Sequence, residues 1–367
     1  MNISEIVAFI RELVECESPS DDPAAIARFT ALFADRVQDI ATCRLIGTHL
    51  QCEFNLPGPR RRKPGQILAL GHSDTVWPMG TLAQMPWREE KGRLWGPGVL
   101  DMKAGLALFV FAMRAVRDAD VPVARKVVLQ LNSDEEVGSH TSRALTEREA
   151  KKSVAVLVLE PGTGLEGKLK TARKGVGGFR LAVHGKSSHA GVDFAAGASA
   201  IDELAYQLEK LRSFTDLARG ITVNTGLIAG GTRTNVVPAE AHAEIDFRIP
   251  RLRDYAALQR KFAGLRPRDK RCRLEVTGDL NRPPMERTRE IGLLFKTTQR
   301  LAAELGVKLE ESATGGGSDG NFTAALGIPT LDGLGAVGEG AHASHESILV
   351  NRIADRVALL AKLVPLI

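Results

Sequence analysis

One short stretch of the sequence places a histidine and two aspartates where they could bind a metal ion. His72 and Asp74 follow the apolar run at 67–70, and Asp101 follows the Gly-Pro-Gly turn at 96–98. Residues two apart on a strand share a face, so His72 and Asp74 can act as a pair. A neighbour that accepts the second ring proton fixes the tautomer that a metal-binding imidazole needs. The alternative is a solvated histidine with two helix-capping aspartates.

Two further apolar runs also end in acidic residues. Residues 126–131 lead to Glu135 and Glu136, and residues 154–159 lead to Glu160. Carboxylates at the end of a buried strand cost free energy unless a positive group neutralises them, which a helix N-terminus could do in part. Open α/β sheets bind their ligands at the carboxyl ends of the strands. Three such strand ends therefore favour a metal site over three unrelated caps.

The chemistry of these residues points to two metal ions. The candidate ligands are His72, Asp101, Glu136, Glu160 and a C-terminal histidine, His342 or His345. Nitrogen and carboxylate ligands without thiolate suit an open catalytic zinc site. Five ligands exceed the needs of one tetrahedral zinc and fit a pair about 3.5–4 Å apart that shares one carboxylate. Glu135, beside a ligand, could take a proton from a water and return it to a leaving amine.

The order of predicted elements indicates an α/β fold with two domains, for which 367 residues suffice. Residues 1–173 and 283–367 alternate helices with buried strands, which predicts a doubly wound, mostly parallel sheet that forms the catalytic domain. Residues 174–282 follow the order βαββαβ, the split βαβ or ferredoxin-like arrangement. We expect this second domain to be inserted into the first.

Composition excludes several classes of function. The net charge of +5 is small, aromatic residues make up 5%, and the basic run at 60–63 lies between two prolines and is predicted to be a solvated loop. These features argue against nucleic-acid binding. No apolar run approaches the roughly 18–20 residues that span a bilayer. The N-terminus is predicted to be an amphipathic helix and not a signal peptide, and the four cysteines lack a CxxC pair. We therefore expect a cytoplasmic protein.

Eight short motifs carry a resemblance to a known family over essentially the whole chain. In order they are GHSDTV, GPGVLDMKAG, NSDEEVGS, LEPG, GKSSHAG, GTRTNVVP, TGGGSDGN and GAHASHE. With these motifs the sequence resembles the co-catalytic dizinc metallopeptidases, a family that includes glutamate carboxypeptidase, acetylornithine deacetylase, succinyl-diaminopimelate desuccinylase and carnosinases. The likeness is greatest for the glutamate carboxypeptidase branch.

The resemblance implies two Zn²⁺ per chain, with Co²⁺ or Mn²⁺ as alternatives. It implies these metal ligands: His72 and Glu160 on one ion, Glu136 and His342 on the other, and Asp101 bridging both. His342 is favoured over His345 because the family pattern has a glutamate four residues after the histidine, here Glu346. The resemblance further implies that Asp74 orients His72 and that Glu135 is the general base.

The inserted domain resembles the family's dimerisation or lid domain, which implies a homodimer. His189 matches a histidine that reaches across the dimer to the substrate carbonyl. Asn235, Arg248 and Arg282 match positions that bind the substrate's carboxylate or carbonyl, and Gly317 would form a wall at the same end. An arginine fork suits a carboxylate, although an arginine at a strand edge is more often solvated.

These expectations define an enzyme that cleaves an amide bond next to a free carboxylate. The substrate would be a small peptide or an N-acyl amino acid. The predicted function is a carboxypeptidase that releases a C-terminal residue such as glutamate. One alternative is an N-acyl-amino-acid deacylase of the acetylornithine deacetylase type. The other is a dimeric binding protein on the same fold, which predicts the loss of the base or of a ligand, and the sequence retains all of them.

Overall fold

The computed structural model describes residues 2–60 and 62–367. The chain divides into two compact units. The first comprises Met1–Ala172, Arg287–Thr314 and Ser318–Ile367, and the second comprises Arg173–Glu286 and Gly315–Gly317. Residues 315–317 thus join the second unit, whereas the sequence analysis assigned them to the catalytic domain. The side chain of Arg173 explains this, because its Nη1 donates to the main-chain oxygens of Gly316 and Gly317.

The elements alternate in the first unit and follow the split pattern in the second. The helices are α1 Ile3–Glu15, α2 Pro23–Val37, α3 Ala104–Asp118, α4 Arg143–Ala150, α5 Ala200–Arg212, α6 Leu252–Ala263, α7 Arg289–Glu304, α8 Gly320–Ala325 and α9 Ile353–Leu363. The strands are β1 Ala41–Ile46, β2 His49–Phe54, β3 Gln66–His72, β4 Arg88–Glu90, β5 Arg93–Trp95, β6 Lys126–Asn132, β7 Ser153–Val158, β8 Leu169–Arg173, β9 Gly175–His184, β10 Thr222–Gly230, β11 Glu240–Ile249, β12 Arg273–Arg282, β13 Glu311–Thr314, β14 Thr330–Leu331, β15 Gly338–Glu339 and β16 Ser347–Leu349.

A six-stranded sheet in the order β1-β2-β6-β3-β7-β14 forms the centre of the first unit. Strands β6, β3, β7 and β14 are parallel neighbours, while β1 and β2 add an antiparallel edge. The register pairs His72 with Asn132 and Leu70 with Val158. The three carboxyl ends that carry the predicted ligands therefore lie at one edge of the sheet.

The buried core packs tightly around β3. All seven residues of β3 are buried, as expected for a central parallel strand that is covered on both faces. Helix α3 covers it with a face that is almost entirely apolar, and Phe109 of α3 meets Phe54 edge to face at 5.5 Å. Burying each such side chain contributes about 1.5–3 kcal/mol.

A second, small sheet in the first unit was not predicted from the sequence. It has the order β15-β16-β5-β4 and pairs Ser347 with Trp95. The turn between β15 and β16 carries His342 and Glu346, and β5 leads directly into the loop that carries Asp101. Strands of two or three residues give almost no periodic signal, yet this sheet joins two distant parts of the site.

The second unit has an antiparallel sheet in the order β10-β11-β9-β12, covered by α5 and α6. Its elements follow the predicted βαββαβ order. Phe179 of β9 stacks on Phe262 of α6 with ring centroids 4.0 Å apart. Strand β10 forms one edge of the sheet and exposes Leu227 and Ile228 by 69% and 64%.

Local contacts determine the start of α3 and the surroundings of the basic run at 60–63. Helix α3 begins at Ala104, because Asp101 and Met102 have non-helical backbone angles. The basic run is not wholly solvated, since Arg62 donates to the main-chain oxygens of Val123, Arg125 and Leu56; Arg61 lies outside the described residues. Within residues 2–60 and 62–367, every helix is too short or too polar to cross a membrane.

Candidate metal centre and active site

His72 ends β3 with an imidazole that is 2% exposed, so the alternative of a solvated histidine is wrong. Its Nδ1 lies 2.9 Å from the main-chain oxygen of Asp74. A carbonyl oxygen can only accept, so Nδ1 carries the proton of the neutral ring and Nε2 presents its lone pair to the site. Nε2 lies 3.1 Å from Oδ1 of Asp101 and 3.6 Å from Oε1 of Glu160.

Asp101 stands between the two histidines. Its Oδ1 faces Nε2 of His72 at 3.1 Å, and its Oδ2 faces Nε2 of His342 at 3.3 Å. The irregular turn after Gly98, whose φ is 71°, turns this carboxylate into the site before α3 begins. Each oxygen of one carboxylate therefore serves a different imidazole.

Glu136 completes the half of the site around His342. Its Oε1 lies 3.2 Å from Nε2 of His342. The structure thus places His342 beside Glu136 and Asp101. His345 lies on the same turn, and both histidines are exposed. Glu136 lies in the loop after β6, and His342 lies in the turn between β15 and β16. The contact between them therefore depends on the tertiary fold.

Glu135 and Glu160 lie on the His72 side of the site. Ligand atoms of His72, Glu135 and Glu160 lie within 4.8 Å of one another, and so do those of His72, Asp101 and Glu136. Glu160 lies two residues after the end of β7 and is 8% exposed. The geometry permits either a metal-binding or a proton-accepting role for Glu135.

The donor set of this cluster fits metal binding. Two imidazole lone pairs face carboxylate oxygens at 3.1–3.3 Å, and such acceptor pairs need a proton or a cation between them. His72 lies close to Asp101 and Glu160, and His342 lies close to Asp101 and Glu136. Ligand atoms of Glu136 also lie within 4.8 Å of those of His72 and Asp101, so the two groups overlap. Nitrogen and oxygen ligands without thiolate suit an open catalytic zinc site.

The charges around the two histidines favour positive charge in the site. Hydrogen bonds with Asp101 and then Glu136 raise the pKa of His342 to about 10. Burial opposes charge on His72, yet Asp101 and Glu160 raise its pKa well above the usual value. Burial likewise opposes charge on Asp101, but His342 and His72 hold its pKa below the usual range. A divalent cation can replace the protons that this cluster retains.

Asp74 acts on two parts of the site through different atoms. Its main-chain oxygen accepts the proton of His72, while its carboxylate Oδ1 lies 3.6 Å from the same ring nitrogen. That carboxylate instead accepts from the main-chain nitrogens of Glu135 at 3.2 Å and Glu136 at 3.1 Å, and from Oγ of Ser20 at 2.8 Å. Asp74 therefore fixes the loop that carries the proposed base as well as the ring of His72.

Sequence reasoning missed Asp319, whose carboxylate binds residues on both sides of the loop that carries Glu135 and Glu136. Its buried carboxylate accepts from Nδ2 of Asn132 and from Oγ of Ser139, both at 2.5 Å. These two residues flank Glu135 and Glu136 in sequence. Asp319 stands in the TGGGSDGN motif, but only the fold places it beside a loop about 180 residues earlier.

In the second unit, His189 and Asn235 are neighbours. The main chain of His189 bridges to Val236, and the main-chain oxygen of Asn235 accepts from Ala190 at 3.0 Å. Nδ1 of His189 accepts from the main-chain nitrogens of Gly191 and Val192 at 3.1 and 3.2 Å. The neutral ring consequently carries its proton on Nε2, which makes this exposed imidazole a hydrogen-bond donor.

The two arginines of the second unit already have partners. Nε and Nη2 of Arg248 donate to the two carboxylate oxygens of Asp246 at 2.9 and 3.0 Å. A substrate carboxylate at Arg248 would compete with this bidentate pair. Arg282 is buried and donates to Oδ1 of Asn281 at 3.2 Å. Gly317 packs so closely on Arg282 that a Cβ at residue 317 would lie 2.9 Å from Cδ of Arg282.

The fold and the site together define a class of protein. Carboxylates and imidazoles converge at the carboxyl edge of a mostly parallel sheet and could hold metal ions there, an arrangement typical of metal-dependent hydrolases. Residues 68–365 match the model described as "Peptidase family M20/M25/M40". The chain belongs to this family of metallopeptidases, so the predicted family and the prediction that the protein is a hydrolase are confirmed.

Individual relatives support the same assignment. The chain is 27% identical over 366 residues to "Carboxypeptidase G2" of Pseudomonas sp. (strain RS-16), covering 98% of this chain and 88% of that protein. It is 32% identical over 311 residues to "Succinyl-diaminopimelate desuccinylase" of Pseudomonas syringae pv. syringae (strain B728a), covering 78% and 79%. The crystal structure of aminopeptidase PepT from Bacillus cereus ATCC 10987 superimposes with a TM-score of 0.79 at 22% identity, covering 100% and 98%. The predicted mixed α/β fold with a mostly parallel central sheet is confirmed.

Proposed function

We propose that this protein is a hydrolase with two Zn²⁺ per chain that cleaves an amide bond next to a free carboxylate, as a carboxypeptidase that releases a C-terminal residue such as glutamate. Co²⁺ or Mn²⁺ could take the place of Zn²⁺. One observation carries the two-metal proposal: the two oxygens of Asp101 face different imidazoles at 3.1 and 3.3 Å. The similarity to Carboxypeptidase G2 along nearly the whole chain supports the choice of peptidase.

The proposed ligands are His72 and Glu160 for one ion, His342 and Glu136 for the other, and Asp101 for both. When bound, such ions would polarise a carbonyl and lower the pKa of a nearby water. Glu135 would accept a proton from that water and pass it to the leaving amine. Its main chain is fixed by Asp74, so its carboxylate starts from a defined position.

The second unit would supply the groups that recognise the substrate. Nε2 of His189 carries a proton in the neutral ring and could donate it in a hydrogen bond to the scissile carbonyl. Asn235, next to His189, could bind the same carbonyl. Arg282 and the main chain at Gly317 could receive the free carboxylate, and Arg248 could do so by exchanging partners with Asp246.

A second candidate function is an N-acyl-amino-acid deacylase. The identity of 32% with a succinyl-diaminopimelate desuccinylase favours it, since that name describes the removal of an acyl group from an amine. Both reactions need the same metal ions and the same base. Both reactions can release an amino acid from the nitrogen side of the amide. They differ in the acyl side, which is an amino acid or peptide for the carboxypeptidase and a simple acyl group for the deacylase.

A substrate panel decides between the two reactions. The zinc-loaded protein would be assayed with dipeptides that end in glutamate, matched dipeptides that end in glutamine or leucine, and N-acetyl and N-succinyl amino acids. A carboxypeptidase should show the largest kcat/KM for peptides with C-terminal glutamate. Preference for the N-acyl amino acids would establish the deacylase, and no turnover on either series would contradict both proposals.

We also propose a homodimer formed through the second unit. Strand β10 forms the edge of its sheet, and an edge strand is a template for pairing with another chain. Leu227 and Ile228 on this strand are well exposed, as are Val192 at 82% and Phe194 at 66% in the segment after His189. Apolar side chains concentrated in this unit suit a surface that a second copy covers.

A cytoplasmic location fits the cysteines. The four cysteines, Cys16, Cys43, Cys52 and Cys272, include no CxxC pair. Cysteines without such a pattern suit incidental thiols of a reducing compartment. We therefore propose the cytoplasm as the site of action.

A further inference from the structure

Glu346 lies outside the proposed ligand set, yet it contacts the loop that carries the bridging aspartate. It ends the turn between β15 and β16, four residues after His342, and is 1% exposed. Its Oε1 accepts from the main-chain nitrogens of Leu100 at 2.8 Å and Asp101 at 3.0 Å. Its Oε2 accepts from the main-chain nitrogen of Gly98 at 2.9 Å and from Nε1 of Trp77 at 2.8 Å.

The chemistry of these four partners requires a carboxylate. Main-chain and indole N–H groups donate and cannot accept, so only a group with two accepting oxygens satisfies all four. An ionised carboxylate also forms stronger hydrogen bonds than a neutral amide oxygen does. A glutamine at residue 346 would fill the same space but direct an NH₂ group at two N–H groups.

These contacts join the two halves of the site. Glu346 belongs to the turn that carries His342, and it holds the main chain of Asp101. The side chain of Asp101 must in turn present one oxygen to each histidine. A small movement of the turn at 98–101 would therefore weaken both proposed metal positions. The position at His342 depends on Glu346 in two ways, because His342 shares its turn and Asp101 is held by its carboxylate.

We propose that Glu346 is a positioning residue whose carboxylate holds Asp101 between the two metal positions and so sets the affinity for the metal pair. The inference rests on the proposed two-metal function. It assigns Glu346 no contact with metal or substrate. Groups that orient metal ligands commonly contribute about 10–100-fold to metal affinity, and we expect an effect of this size.

The test is a metal titration of Glu346→Gln. Metal-free wild type and variant would compete for Zn²⁺ with a chromophoric chelator, and Co²⁺ absorption would report the ligand geometry. We expect Glu346→Gln to bind the weaker of the two ions about 10–100-fold less tightly than wild type, with an altered Co²⁺ spectrum. Glu339→Gln is the matched control, because Glu339 lies on the same small sheet and pairs with Arg93 at 2.7 Å; it should titrate like wild type.

The unfolding midpoint of each metal-free protein separates positioning from stability alone. A lower midpoint with unchanged Zn²⁺ affinity and an unchanged Co²⁺ spectrum would overturn the proposal. If Glu346→Gln does not fold, Trp77→Phe decides, because it removes a single donor to Glu346 and leaves three main-chain donors. Weaker binding of one ion by Trp77→Phe would support the proposal, and wild-type affinity would overturn it.

The wild-type titration distinguishes this inference from the function on which it rests. Fewer than two bound ions in wild type would refute the two-metal function itself. Two ions in wild type, bound with equal affinity by Glu346→Gln, would refute only the positioning role.

Discussion

Replacing Glu135 by glutamine should lower kcat by orders of magnitude and leave the metal site intact. The main-chain nitrogen of Glu135 is bound to Oδ1 of Asp74 at 3.2 Å, and that of Glu136 to Oδ2 at 3.1 Å. Since both bonds involve the main chain, Glu135→Gln keeps the loop and the neighbouring ligand in place. Glutamine has nearly the same shape as glutamate but cannot accept a proton from water.

The expected loss follows from the role of a general base. Positioned acid–base groups contribute about 10²–10⁴-fold, which corresponds to about 3–5 kcal/mol in the activation free energy. We expect kcat of Glu135→Gln to fall by this factor on the best substrate of the panel. Zinc per chain, measured by elemental analysis, should equal that of wild type.

Two controls sharpen this prediction. Glu166→Gln changes an exposed glutamate of the same unit and should leave kcat unchanged. A kcat within about threefold of wild type for Glu135→Gln would refute the base assignment, because a base is expected to contribute at least about 10²-fold. Loss of one zinc would instead identify Glu135 as a ligand, which its position within 4.8 Å of His72 and Glu160 permits.

Three further predictions concern the second unit and the metal ions. Gly317→Ala should lower the free energy of unfolding in urea by about 1–3 kcal/mol, because the new Cβ would lie 2.9 Å from Cδ of Arg282. Gly315→Ala should be neutral, because the space around Gly315 is open. Equal effects of the two changes would contradict this packing. Leu227→Asp should convert a dimer to a monomer in analytical ultracentrifugation. Leu217→Asp should leave the dimer intact, because Leu217 is 76% exposed on the same unit but lies outside the proposed interface. A dimer in both variants would refute the β10 interface. Chelation should lower the melting temperature, since an ion at 1,000 times its Kd stabilises the folded state by about 4 kcal/mol, and a melting temperature unaffected by both chelator and added Zn²⁺ would contradict metal binding by the folded state.

The sequence predicted most of the catalytic unit because its signals are local. Buried parallel strands appear as apolar runs, and His72, Glu136 and Glu160 follow such runs within five residues. The parallel sheet then brings their ends to one edge without any further information. The split βαβ order of the second unit was equally readable, since its strands are nine or ten residues long.

The supporting contacts could not be read in the same way. Strands β15 and β16 have two and three residues, and their pairing with β5 is what places His342 beside Asp101. Glu346 and Asp319 reach partners about 180–270 residues away in the chain. No periodicity encodes such contacts, because they depend on the docking of loops after the sheets have formed.

Asp74 shows the same limit at close range. Its spacing from His72 predicted the partnership with that ring, which the structure forms through the main-chain oxygen of Asp74. The spacing did not predict that the carboxylate would turn to the main chain of Glu135 and Glu136. Which atom of a residue makes a contact depends on groups that arrive from elsewhere in the chain.

The most direct test of the account is the zinc content of the purified wild-type protein. Metal-free protein would be reconstituted with excess Zn²⁺, freed of unbound metal and analysed by elemental analysis against protein concentration. A carboxylate shared between His72 and His342 predicts about two zinc ions per chain, both removed together with activity by a chelator. One ion or fewer per chain, or full activity in the metal-free protein, would contradict the two-metal mechanism.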